Sequence, residues 1–107
     1  MRAGKLRNPA RLQRKTKIGT DEHGQPTYRW DDVGTIYCKI DDLTTRTAES
    51  ARQLYDKATH QITMRYVPMG ISLNDRIVYR GVEYYVGHIG NTEQRNRELI
   101  LMVSSDG

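Results

Sequence analysis

Apolar residues along the chain recur mostly at every second position. Thr35 to Ile40 alternates, with Ile36, Cys38 and Ile40 on one face and Thr35, Tyr37 and Lys39 on the other. Thr59 to Val67 does the same: His60, Ile62, Met64 and Tyr66 share a face opposite Gln61, Thr63, Arg65 and Val67, and Pro68 and Gly70 end the run. Arg76 to Tyr79 and Val82 to Ile89 read as strands joined at Arg80-Gly81, where glycine supplies a positive φ. Arg97 to Val103 is a last strand with Leu99, Leu101 and Val103 inward, after a polar loop from Gly90 to Asn96. Near the start the pattern is weaker. Residues 1 to 10 read as an extended arm, Arg11 to Ile18 as a strand with Leu12 and Ile18 as its apolar members, and Tyr28 to Trp30 as a short strand after a turn-rich loop, Gly19 to Thr27.

One segment changes period. Ala48, Ala51, Leu54, Tyr55 and Ala58 fall at helical spacing, which predicts a helix from Ala48 to Lys57 with Thr47 as N-cap and Glu49 in its first turn. The stripe is small, suited to lying on a barrel or on a neighbouring subunit. Strands, one helix, then strands at short spacing predict a mostly β protein: a small antiparallel β-barrel or sandwich with one inserted α-helix near 47–58. The division expected is an N-terminal arm over 1–10 and a single domain over 11–107.

The 107 residues suffice for one domain. Phenylalanine is absent, and seven tyrosines and one tryptophan supply the aromatic mass. Tyrosine hydroxyls need water or a partner, which favours half-exposed walls and subunit contacts. Cys38 stands alone, so no intrachain disulfide forms and a reducing compartment fits. No apolar run is long enough to span a membrane, and the charged N-terminus leads into no signal-peptide core, so a soluble protein made in a cytoplasm is expected.

The net charge of +4 is unevenly spread. Arg2, Lys5, Arg7, Arg11, Arg14, Lys15 and Lys17 all precede Asp21, whereas from Ile18 onward ten basic residues face thirteen acidic ones. The basic start can neutralise phosphates, dock into an acidic groove, or remain a solvated tail.

Candidate chemistry is sparse. Asp21-Glu22-His23 is a polar loop tip before it is a cation site, since neighbours in one loop seldom complete a coordination shell. A Cys38 and His60 nucleophile pair would have to meet in space, but both share strand faces with Ile and Met, which favours core placement. Gly87-His88-Ile89-Gly90 lacks the spacing and following helix of a phosphate cradle. Asp41 and Asp42 point apart on a strand. Tyr84 and Tyr85 could stack bases, but read more simply as one core and one surface tyrosine. The expectation is a binding module, not an enzyme, with no catalytic, metal-ligating or cofactor-binding residues and no cofactor.

Taken in order, Met1-Arg2-Ala3-Gly4-Lys5-Leu6-Arg7, Asp21 through Gly24-Gln25-Pro26 to Trp30, Ala58 to Tyr66, Arg76-Ile77-Val78-Tyr79-Arg80-Gly81 and Asn96-Arg97-Glu98-Leu99-Ile100-Leu101 resemble the head-tail joining family of tailed bacteriophages, also called head-closure, stopper or adaptor proteins. Arg11 to Lys17 is more basic than that family's first strand. The resemblance implies a virion protein of the head-tail connector, assembled in the bacterial host cytoplasm. It would form a homo-oligomeric ring below the portal, retain the genome and offer a tail attachment surface. The partners implied are a portal or adaptor ring, tail terminator or tail-tube proteins, and genomic DNA passing without sequence readout, with no membrane.

Within that frame Arg2, Lys5, Leu6 and Arg7 are candidates for a partner-docking arm. Arg46, Arg52, Tyr55 and Lys57 are candidates for channel or inter-subunit contacts, because Asp41 to Thr59 is neither tight turn nor strand. The alternative is a small β-barrel nucleic-acid-binding protein using the basic arm.

Overall fold

The structure is a computed structural model that describes residues 8–65, 70–91 and 98–105, apart from the side chains at 45–47 and 91. Its elements are β1 (Asn8–Thr20), β2 (Pro26–Asp42), α1 (Thr45–Leu54), β3 (His60–Arg65), β4 (Asp75–Tyr79), β5 (Val82–Asn91) and β6 (Glu98–Ser104). All pairings are antiparallel, and the sheet closes as a barrel in the order β1-β2-β3-β6-β5-β4. Of the two expected architectures, barrel and sandwich, the barrel is found.

Inward positions follow the alternation. Leu12, Ile36, Cys38, Ile62, Met64, Ile77, Leu101 and Val103 fill the interior, each at most 1% exposed, and Tyr84 and Val86 close one side. Cys38 is the small core residue its neighbours implied, while Tyr37 on the other face is 60% exposed. At the β4–β5 turn Arg80 (φ 51°) and Gly81 (φ 82°) both take positive φ, the geometry a two-residue hairpin needs to match strand twist.

Several boundaries differ from expectation. β1 begins at Asn8, not Arg11, because Ala10 is small enough to pack inside the barrel beside Leu12. Tyr28–Trp30 and Thr35–Ile40 are one strand, β2, which absorbs Val33 as an extra residue where the register shifts opposite Leu12 and Gln13. Ile18 is no core residue: the register shifts between Lys17 and Gly19, and the side chain is 57% exposed. The helix runs Thr45–Leu54 instead of Ala48–Lys57, since the Thr44 carbonyl already accepts the Ala48 N–H at 2.8 Å. Its last i→i−4 bond is Tyr55 N to Ala51 O, and a tighter turn from Tyr55 to Ala58 follows. Tyr66 and Val67 lie outside the described residues.

Two features depart from a plain barrel. β1 pairs with β4 only from Arg11 to Arg14, and β2 with β3 only from Cys38 to Asp42, so Lys15–Thr20 and Pro26–Trp30 run on together as a two-stranded ribbon. The molecule measures 49 × 29 × 28 Å. The second feature is α1, which lies on the outer wall: Ala51 and Ala58 are buried against Met102, with Leu43, Tyr55 and Ile100 around them.

Candidate functional site

The ribbon is rooted by a run of polar and aromatic contacts between residues far apart in sequence. Arg76 stacks its guanidinium over Trp30 at 4.3 Å, donates from Nε to Gln13 Oε1 at 2.8 Å and pairs with Glu83 at 2.7 Å. Trp30 meets Tyr85 edge-on at 5.9 Å. Gln13 donates to Asp32, which also lies 3.6 Å from Arg11, and Lys15 sits over the Tyr28 ring at 4.2 Å. Side chains of alternate residues share a face, so β1 lines up Arg11, Gln13, Lys15 and Lys17 opposite Asp32, Trp30 and Tyr28. The result is an aromatic and cationic face in which the acids already engage Arg11 and Arg76, leaving Lys17 exposed. Sequence reasoning missed this face because its contacts join β1, β2, β4 and β5. The alternation of Lys15 and Lys17 with Thr16 was its one local trace.

The tip of the ribbon is Asp21-Glu22-His23. Asp21 Oδ1 accepts the N–H groups of His23 (2.9 Å) and Gln25 (2.8 Å), and Gly24 takes φ 80°. Those bonds make Asp21 a turn former. At the other end of the barrel His60 accepts or donates at Nδ1 to Thr59 Oγ1 (2.8 Å) and meets Asp42 through Nε2 (2.8 Å), with Tyr84 edge-on at 5.1 Å. This hydroxyl, imidazole and carboxylate in a row has the order of a nucleophile relay, but its geometry serves the fold. Thr59 Oγ1 accepts the Ser105 N–H at 2.9 Å and so ties the start of β3 to the end of β6, while the Asp42 carboxylate is 91% exposed to water. Cys38, the other half of the nucleophile pair considered from sequence, faces the Asn8 carbonyl at 3.6 Å. Burial pushes its thiol up to about 11, away from the thiolate a nucleophile requires.

Beside α1 an open depression is lined by Leu43, Thr44, Ala48, Glu49, Arg52 and Gln53. Arg52 and Lys57 are exposed, and neither has an ion pair within the described residues. Tyr55 is placed differently. Its ring lies flat against Gly87, the extra residue at the register shift between Val86 and His88, where a Cβ would fall inside the ring's van der Waals surface. Tyr55 therefore anchors the helix to β5. Leu54, expected in the buried stripe, is 53% exposed because the helix ends there and turns. The Arg46 side chain and the segment holding Arg2, Lys5, Leu6 and Arg7 lie outside the described residues. Tyr84 is 8% exposed and Tyr85 half-buried, the core and surface pair read from sequence.

The same architecture occurs in solved structures. The solution structure of protein SF1141 from Shigella flexneri 2a superposes with a TM-score of 0.72 at 24% identity, covering 97% of this chain and 96% of that one. A chain in the virion of a native gene transfer agent particle superposes with a TM-score of 0.62 at 12% identity, covering 92% of each. No curated protein sequence matches the chain. A family model described as phage head completion protein matches residues 1–106. A closed six-stranded barrel with one outer helix, matched to that model over nearly its whole length, makes this chain a member of the phage head completion protein family.

Proposed function

We propose that the protein is a structural subunit that closes the DNA-filled phage head as a ring in the connector below the portal and presents the surface to which the tail attaches. The observation that carries this reading is family membership over residues 1–106, joined by a neighbour of the same fold within a gene transfer agent virion. The described structure suits it: a closed barrel has no open sheet edge around its wall, and ribbon and helix supply two separate surfaces for neighbours.

In this reading the basic segment with Arg2, Lys5, Leu6 and Arg7 docks on a portal or adaptor ring. Arg46, Arg52 and Lys57 face the channel or the next subunit, and Tyr55 holds their segment to the wall. Asp41 and Asp42 belong to β2 and Thr59 is bonded to β6, so the segment expected to move is shorter than Asp41 to Thr59. The α1 contact is small, and Leu43 to Ala58 opens before the barrel does, the property a gate for passing DNA needs. The nucleic-acid-binding alternative gains less support, because the acids Asp32 and Glu83 already offset Arg11 and Arg76 on the aromatic face.

Particles assembled without this protein are expected to lose packaged DNA and to lack tails. Complementation with the Arg46→Glu, Arg52→Glu double variant is expected to restore a folded subunit but fewer DNA-filled particles. Tailed, DNA-filled particles in the absence of the protein would overturn the reading.

A further inference from the structure

The ribbon and the helix are two separate surfaces of the subunit: the ribbon continues β1 and β2 past the end of their pairing with the wall, and α1 packs on the outside of β6 and β5. The root of the ribbon meets the wall through Trp30 on Arg76 and Tyr85, whereas α1 is held through Met102, Ile100 and Gly87. Two distinct surfaces on one subunit are what a head-to-tail contact requires, whereas a two-fold dimer uses one surface twice.

Each surface holds exposed apolar and charged groups. On the ribbon, Ile18 is 57% and Tyr28 46% exposed, and Lys17 is exposed with no ion pair among the described residues. Ile18 stands out because it is the extra residue of a bulge, a device that re-aims a side chain. On the helix side Leu54 is 53% exposed, and Glu49 and Asp56 are exposed with no ion pair among the described residues. A two-stranded ribbon running beyond its barrel is marginally stable in water and gains from a surface to lie on. Arg52 and Lys57 share the helix side, so the fit is local: Lys17 toward Glu49 or Asp56, Ile18 and Tyr28 toward Leu54.

We infer that the ribbon is a subunit-to-subunit arm, which seats Ile18 and Tyr28 on the Leu54 side of α1 in a second copy of this chain. The inference rests on the ring reading above and names the contact that would build the ring.

Disulfide trapping tests it directly, since the native Cys38 is fully buried and stays out of the exchange. The Ile18→Cys, Leu54→Cys double variant, oxidised in purified protein at high concentration and in assembled particles, is expected to give a ladder of dimers, trimers and larger species on a non-reducing gel. A mixture of the two single variants should stop at dimers. Dimers from Ile18→Cys alone would show a symmetric ribbon contact and overturn the head-to-tail arrangement. A cross-link from position 18 to a virion protein of another size would assign the ribbon to a different partner. Particles that contain the double variant, hold DNA and carry tails but give no ladder would overturn the inference and leave the head-closure reading standing.

Discussion

Arg14 forks onto Asp75, Nε to Oδ1 at 2.7 Å and Nη2 to Oδ2 at 2.9 Å, where the ribbon leaves the barrel. The Asp75 side chain is fully buried and also accepts the Ser72 N–H at 2.8 Å and the Ser72 hydroxyl at 3.1 Å. Hydrogen bonding to Asp75 moves the Arg14 pKa further up, against a smaller effect of burial. Its folded value is raised, so that contribution to stability is complete below the unfolded pKa and is lost only in strong alkali. Arg14→Leu strands a buried carboxylate, at a cost of about 3 kcal/mol, the lower end of the range for breaking a buried pair because Arg14 is about a third exposed. Urea denaturation at pH 7 measures this. Asp75→Asn, which keeps an acceptor for Ser72, should lose less.

The Tyr55 ring on Gly87 predicts a non-additive pair. Gly87→Ala drives a methyl into the ring and should cost about 1–3 kcal/mol, as overpacking does. In a Tyr55→Ala background the same change should cost much less, because the obstruction is gone. A double-mutant cycle in denaturant reads the difference, and equal costs in both backgrounds would place the strain elsewhere.

Cys38 ties stability to alkaline pH. Its thiol ionises near 9.0 in the unfolded chain and about 11 in the fold, because burial disfavours the thiolate. Below pH 9 both states hold the proton; between pH 9 and 11 the unfolded state releases it first, so stability falls, by at most about 2–3 kcal/mol. Tyr84, raised chiefly by burial and then by Asp42 and Cys38, adds a decline in the same direction. Stability measured across this window should fall more steeply in the wild type than in Cys38→Ala. Tyr84 still contributes a decline in the variant, reduced by the loss of Cys38 beside it.

Removing residues 1–7 should leave the thermal transition nearly unchanged while reducing incorporation into particles, if the basic segment docks on a partner. Extending the deletion through Ala10 should destabilise the barrel. It removes the Asn8 side chain bonded by Tyr79, the Asn8 carbonyl facing Cys38, and the Ala10 methyl in the core.

The barrel wall was legible where parity is clean, as at Ile36 and Cys38, Ile62 and Met64, and Leu99, Leu101 and Val103. It was less so where the register shifts. Val33 and Ile18 are bulge residues, and a bulge changes the face of an apolar side chain without changing local composition. The start of α1 was misplaced because Thr44, Thr45 and Thr47 all suit a cap, and the choice is made by where the chain leaves β2 after Asp42. The aromatic face at Trp30 and Arg76 was illegible for another reason. It is assembled by barrel closure, which brings together residues up to 72 positions apart in the case of Gln13 and Tyr85 around Arg76.

β1 and β2 are continuous through barrel and ribbon, with the Val33 bulge near their junction, and this gives the ribbon a mechanical character. The hydrogen bonds that hold them in the wall, β1 to β4 from Arg11 to Arg14 and β2 to β3 from Cys38 to Asp42, lie across the strand direction. A load along the ribbon therefore shears many bonds at once instead of unzipping them singly, and it arrives at Arg14 and Asp75 before it reaches the core. A pull on the tip is borne by the barrel wall as a whole, so the subunit behaves under tension as one stiff strut.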